Sequence, residues 1–161
     1  MNFALCFNPK YSGKMKTVDV NIRENVAINS SMDEYIAMEQ LSQCCETILK
    51  FLCDEKRYLN PIYSLWELSR EVGISARLIS NSINKVLGQN FFELLNRLRV
   101  EEAQRILINS VQHSRFICIE DIYAKSGFGS RSAFYMSFKK YTGFTPRQYM
   151  KMCEEENMNI I

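Results

Sequence analysis

The feature that most constrains this chain is an internal repeat. Leu65 aligns with Ile119, Glu67 with Asp121, Leu68 with Ile122, Gly73 with Gly127 and Ile74 with Phe128, each pair 54 positions apart. One residue is then gained. At an offset of 55, Ile79 meets Phe134, Ile83 meets Phe138, Lys85 meets Lys140, Gly88 meets Gly143, Asn90 meets Thr145 and Glu93 meets Gln148. Core positions, helix-starting polar residues and helix-ending glycines repeat together, so each copy is one supersecondary unit.

Each copy reads as helix, tight turn, helix. Ser64 with Glu67 and Asn90 with Glu93 form capping boxes, in which side chain and backbone satisfy each other at a helix start. Thr145, Pro146 and Gln148 start a later helix in the same way, with proline as first helical residue. Gly73, Gly88 and Gly143 end helices. Inward faces are predicted from Leu65, Leu68 and Val72, then from Leu78, Ile79, Ile83, Val86 and Leu87, and in the second copy from Phe134 and Phe138. A longer helix over 91–109, with Phe92, Leu95, Leu98 and Ile106 among its apolar residues, joins the copies and spans roughly 27 Å at 1.5 Å per residue. Upstream, Leu41, Cys45, Ile48 and Leu52, thickened by Leu49, predict a helix from Glu39 to about Tyr58, broken by Leu59-Asn60-Pro61. Earlier still, Thr17–Arg23 alternates like a short strand and Asn29-Ser30-Ser31 reads as a linker. Residues 1–38 are therefore expected to form a flexible or peripheral extension.

Composition removes several function classes. No apolar run approaches membrane-spanning length. The start MNFALCF lacks the basic residues, longer apolar run and small-residue cleavage site of a secretion signal. Six cysteines without a Cys-x-x-Cys pair, and a single histidine, give no zinc-site spacing and point to a reducing, cytoplasmic setting. No cofactor or metal is implied. The net charge is only +2, but from Pro61 to Lys151 thirteen basic residues face seven acidic ones. A basic segment between acidic flanks suits a phosphate-bearing partner.

Gly127-Phe128, Phe134, Phe138-Lys139-Lys140, Gly143, Pro146 and Tyr149 together resemble the second half of the AraC/XylS-type DNA-binding domain. The likeness extends over about Leu41 to Met152, more weakly in its first half. It implies an all-α fold of seven helices: two helix-turn-helix units, at about 64–87 and 118–142, joined by the long linker helix. The expected domain is 39–153, followed by an acidic tail at 154–161 that begins with Glu154-Glu155-Glu156. It also implies a transcription activator acting on double-stranded DNA, with RNA polymerase as a candidate second partner. The chain departs from the family where Ile83-Asn84 stands in place of Phe-Lys, where the Ser110–Cys118 connection is longer, and where Cys118 occupies a cap position. Residues 1–38 are too few for the β-rich effector domain many members carry.

On this reading, Arg77, Ser80 and Asn81 share the outward face of the first recognition helix, and Arg131, Ser132, Tyr135 and Met136 that of the second. Arginine matches guanine and asparagine matches adenine in the major groove. Lys85, Lys139, Lys140 and Arg147, with the backbone at the capped starts Ser64 and Thr145, are candidate phosphate contacts. Trp66 is read as a packing residue, His113 as a solvated loop residue, and Cys44-Cys45 as helix surface and core rather than a redox pair. A protein-interaction module with weakened DNA binding is the alternative. A repair enzyme of the methyl-acceptor type, which needs a four-cysteine zinc site, is set aside because the required cysteine spacing is absent.

Overall fold

The computed structural model describes residues 25–113 and 117–158; the strand expected over 17–23 lies outside them. Seven helices follow one another among the described residues, and no strand. They are α1 (Asn25–Glu55), α2 (Leu65–Val72), α3 (Ala76–Leu87), α4 (Phe91–Gln112), α5 (Ile119–Lys125), α6 (Arg131–Thr142) and α7 (Pro146–Met158), with a 3-10 turn at Arg57–Leu59 after α1. Helices α2–α3 and α5–α6 are the two helix-turn-helix units, and α4 bridges them. No helix among the described residues is long and apolar enough to cross a membrane. The chain divides into units of residues 1–39 and 40–161, and the packing below belongs to the second.

The local signals set the helix ends. The Ser64 hydroxyl accepts from the Glu67 amide at 3.2 Å while the Glu67 carboxylate accepts from the Ser64 amide at 2.8 Å. Asn90 with Glu93 and Thr145 with Gln148 close the same reciprocal pair at the heads of α4 and α7. Cys118, at the cap position where the chain departs from the family, caps α5, accepting from the Asp121 amide on its sulfur at 3.4 Å.

Three boundaries differ from the sequence reading. Asn29–Ser31 is not a linker, because α1 runs through it from Asn25. That stretch holds neither Gly nor Pro, and Asn or Ser each disfavours a helix by less than about 0.7 kcal/mol. α4 continues to Gln112, with His113 as its C-cap rather than a free loop residue; the His113 ring approaches the Asn109 carbonyl at 2.9 Å. α7 extends through Glu154–Glu156, so that acidic run is helical, with Glu154 and Glu155 exposed.

Two hydrophobic cores form, and α4 contributes to both. Ile48 and Leu52 of α1, Leu68 of α2, Ile79 and Ile83 of α3, and Leu94, Leu95 and Leu98 of α4 make the first. Val100, Ala103 and Leu107 of α4, with Ile119, Ile122, Phe128, Phe134 and Phe138, make the second. Where the first unit uses isoleucines, the second uses aromatics: Phe134 lies edge-on to Phe128 and Phe138, and Phe138 to Tyr149, at 5.3–5.5 Å between centroids. Leu65, Val72 and Tyr149 are half-buried at the margins. Leu78 and Val86, expected inside, are exposed. The inward stripe of α3 is instead Ile79, Ser82 and Ile83, and the buried Ser82 hydroxyl is satisfied by donating to the Leu78 carbonyl at 2.8 Å.

Candidate nucleic-acid interface

The α2–α3 turn needs a left-handed residue, and Gly73 supplies it at φ 70°. Ser75 then caps α3, accepting from the Leu78 amide. That start, with Ile79 and Ile83 held in the core, turns Arg77 and Asn81 to the surface and leaves Ser80 at its edge. All three line one shallow depression with Ser75, Leu78 and Asn84. Asn84 is the residue that sequence reading missed here; it lies three positions from Asn81 and four from Ser80, so the 3.6-residue stripe already carried the signal. Among the described residues no acid lies within ion-pair distance of Arg77.

The second unit is arranged differently. Ser130 caps α6 through the Ala133 amide, exposing Arg131 and Ser132. The Arg131 guanidinium lies 5.4 Å from the Tyr135 ring centroid and 3.4 Å from the Glu120 carboxylate. Tyr135 is half-buried against the core, whereas Met136 is 74% exposed. Met136 shares its surface with Lys139, Lys140 and Asn96 rather than with Arg131.

The candidate phosphate contacts also fall into two groups. Lys85 of α3, Lys139 of α6 and Arg147 of α7 are exposed and, among the described residues, lack an acidic partner within ion-pair distance. Lys140 is engaged: its ammonium donates to Glu93 of α4 at 2.9 Å. Glu93 therefore holds two partners, its second oxygen accepting from the Asn90 amide in the α4 cap. The Lys140 hydrogen bond, then the Asn90 amide, hold the Glu93 carboxyl below the usual carboxylate range. The side chains of Ser64 and Thr145 are occupied in their own capping boxes, so any phosphate contact there falls to the remaining first-turn amides; Pro146 has none to offer. Trp66, read from sequence as a packing residue, is 64% exposed, with the Arg70 guanidinium 4.8 Å from its ring centroid. Cys44 is half-buried and Cys45 buried, and burial pushes the Cys45 thiol up to about 11.

Two capped helix-turn-helix units on one bridging helix, each presenting a polar, basic recognition helix, define a DNA-binding class. The family model described as a helix-turn-helix domain matches residues 68–152. An uncharacterised HTH-type transcriptional regulator of Staphylococcus aureus is 32% identical over 111 residues, covering 69% of this chain and 13% of its own length. The HTH-type transcriptional regulator ExsA of Pseudomonas aeruginosa is 31% identical over 106 residues, 64% of this chain and 36% of its own. The C-terminal domain of AraT, a response regulator from Geobacillus stearothermophilus, superposes with a TM-score of 0.58 at 25% identity, over 70% of this chain and 87% of that domain. The chain belongs to the AraC/XylS-type family of helix-turn-helix transcription regulators. It spans only a small part of the length of the staphylococcal relatives it matches.

Proposed function

We propose that residues 39–153 form a sequence-specific DNA-binding domain that inserts α3 and α6 into successive major grooves and serves a transcription activator. The observation that carries the reading is the open Arg77–Ser80–Asn81 face of α3, on a helix whose Arg77 and Lys85 have, among the described residues, no acid within ion-pair distance. Arg77 is suited to guanine and Asn81 to adenine, with Ser80 between them. Arg131, Ser132, Tyr135 and Met136 read the second half-site, and Arg131 arrives there with its orientation restrained by Glu120 and Tyr135. Lys85, Lys139, Arg147 and the first-turn amides after Ser64 and Thr145 grip phosphates and carry no sequence information. Lys140 joins them by exchanging Glu93 for a phosphate. RNA polymerase is the second partner proposed on the strength of family membership, and the cytoplasm the compartment.

A second reading, in which the fold works through a partner protein with weakened DNA contact, draws on two observations. Arg131 and Lys140 are both paired to acids of this chain, and Trp66 and Ile62 are exposed. Selection of bound duplexes from random DNA, followed by salt titration of the winner, separates the two. DNA reading requires a consensus and an affinity that falls steeply with salt, by a slope near 0.9 per phosphate neutralised. Recovery of no consensus would favour the partner-protein reading.

A further inference from the structure

We infer that Arg99 and Gly127 are positioning residues that set the angle between the two recognition helices, and with it the spacing between the two halves of a DNA site. This rests on the reading of α3 and α6 as the DNA-reading helices. Neither residue is on a candidate DNA-facing surface. Both clamp the short segment 58–61, which enters the first unit between α1 and α2.

Helix α4 meets that segment through Arg99. Arg99 is 7% exposed. Its Nε donates to the Tyr58 carbonyl at 2.7 Å and a terminal nitrogen donates to the Asn60 carbonyl at 2.9 Å, contacts that span 41 and 39 residues. Another terminal nitrogen lies 3.4 Å from the Asn96 side-chain oxygen. A guanidinium withdrawn from water is tolerated only when its donors find partners, so the fork fixes the segment in a single orientation. One turn of helix further on, Glu102 is 8% exposed and lies 3.9 Å from Lys56, two residues before that segment.

The turn of the second unit meets the same segment, at the Tyr58 carbonyl that Arg99 also holds. Gly127 has φ 84°, and a Cβ there would sit 2.5 Å from the Leu59 Cα and 2.7 Å from the Tyr58 and Leu59 carbonyl oxygens. Backbone meets backbone, and no side chain fits. Its counterpart in the repeat, Gly73, has nothing within 4 Å of the same position. Gly73 is needed for its backbone conformation alone; Gly127 is needed for that and for the contact. Gly129, which occupies the turn where the second copy gains its residue, is 3.5 Å from the Pro61 side chain by the same construction. Phe128, between the two glycines, is buried in the second core and lies 5.9 Å from the Arg99 guanidinium.

The two cores share no buried residue; they are coupled through α4, to whose head Lys140 and Tyr141 of α6 are tied at Glu93, and by this joint. The joint reaches the DNA-facing surface quickly, because Arg131 begins α6 four residues after Gly127. Loss of the joint leaves both units folded and both reading helices intact, while loosening their relative angle.

The test uses the site recovered by random selection, rebuilt with zero to five base pairs inserted between its halves, and the full chain as wild type, Gly127→Ala, Arg99→Met and Arg99→Lys. Ile79→Val serves as a control that weakens the first core away from the joint. For wild type, half a turn of insertion should cost about 100-fold in affinity, the loss of an intramolecularly linked second contact. Gly127→Ala and Arg99→Met should each lose about tenfold on the best spacing and show a half-turn penalty reduced to about tenfold, or a displaced optimum. Arg99→Lys should fall between, since an ammonium cannot hold both carbonyls with the same fork. Ile79→Val should keep the wild-type spacing profile. If Gly127→Ala does not fold, the two Arg99 variants carry the test. Wild-type spacing profiles in the joint variants, or a wild type indifferent to spacing, would overturn the inference and leave DNA reading standing. Failure of wild type to select any site would defeat both.

Discussion

Phe138 has no exposed surface and touches Phe134 and Tyr149 edge-on, so it holds α6 to the second core and α7 to α6. Phe138→Ala should destabilise the domain by about 3–5 kcal/mol in a denaturant titration, the usual range for a buried phenylalanine. An unchanged midpoint would mean the α6 face is misassigned. Arg77 and Arg131 are expected to read bases, so Arg77→Ala and Arg131→Ala should each cost about 1–3 kcal/mol on the selected site and much less on random DNA. Equal losses on both would make them phosphate contacts. Lys140→Ala should instead weaken binding evenly across sequences and lower the salt slope by about 1. At this scale the sequence was most legible where chemistry is local. Ser64, Asn90, Thr145 and the repeated glycines do what their spacing implies. Leu78, Val86 and Trp66 were misjudged because a helical stripe has soft margins: Ser82 takes the inward position that apolarity assigned to its neighbours. Arg99 was invisible as a joint, since its carbonyl partners lie 39 and 41 residues away.

The helices are stopped and started by few-residue signals, so their energetics can be tested one cap at a time. Asn90→Ala should cost about 1 kcal/mol, and Cys118→Ser should gain about 0.5 kcal/mol by replacing a long sulfur contact with an oxygen one. The head of α4 should also respond to acid. Glu93 in the folded chain holds its proton off to a lower pH than its ordinary value of 4.5. Its contribution is therefore full above the ordinary value and is lost as pH falls through the depressed folded one. Glu93→Gln should flatten part of the loss of stability as pH falls below the ordinary value of 4.5, and an acid slope identical to wild type would contradict the Glu93–Lys140 tie. Element types were legible from periodicity and caps. The extra turn of α4 and the early start of α1 were not, because no glycine or proline marks those boundaries and tertiary packing decides how far a helix runs.

Across the whole molecule, the repeat builds two similar units that present different faces. Arg77, Ser80, Asn81 and Asn84 stand on one; Arg131, Ser132 and Tyr135 stand on the other. A site read by one chain is therefore expected to be asymmetric and about two turns long. α4, at 22 residues, runs roughly 33 Å at 1.5 Å per residue, close to the ~34 Å between successive major-groove faces on one side of a duplex. The direct contact of the second unit's turn with the Tyr58–Leu59 backbone opposes a free swing of that unit on the longer Ser110–Cys118 connection. One measurement tests this most directly: the affinity and stoichiometry of the purified chain on its selected site, with and without about five base pairs inserted between the halves. The expected result is one chain per duplex and a sharp fall in affinity on insertion. Unchanged affinity, or two chains on a palindrome, would contradict it.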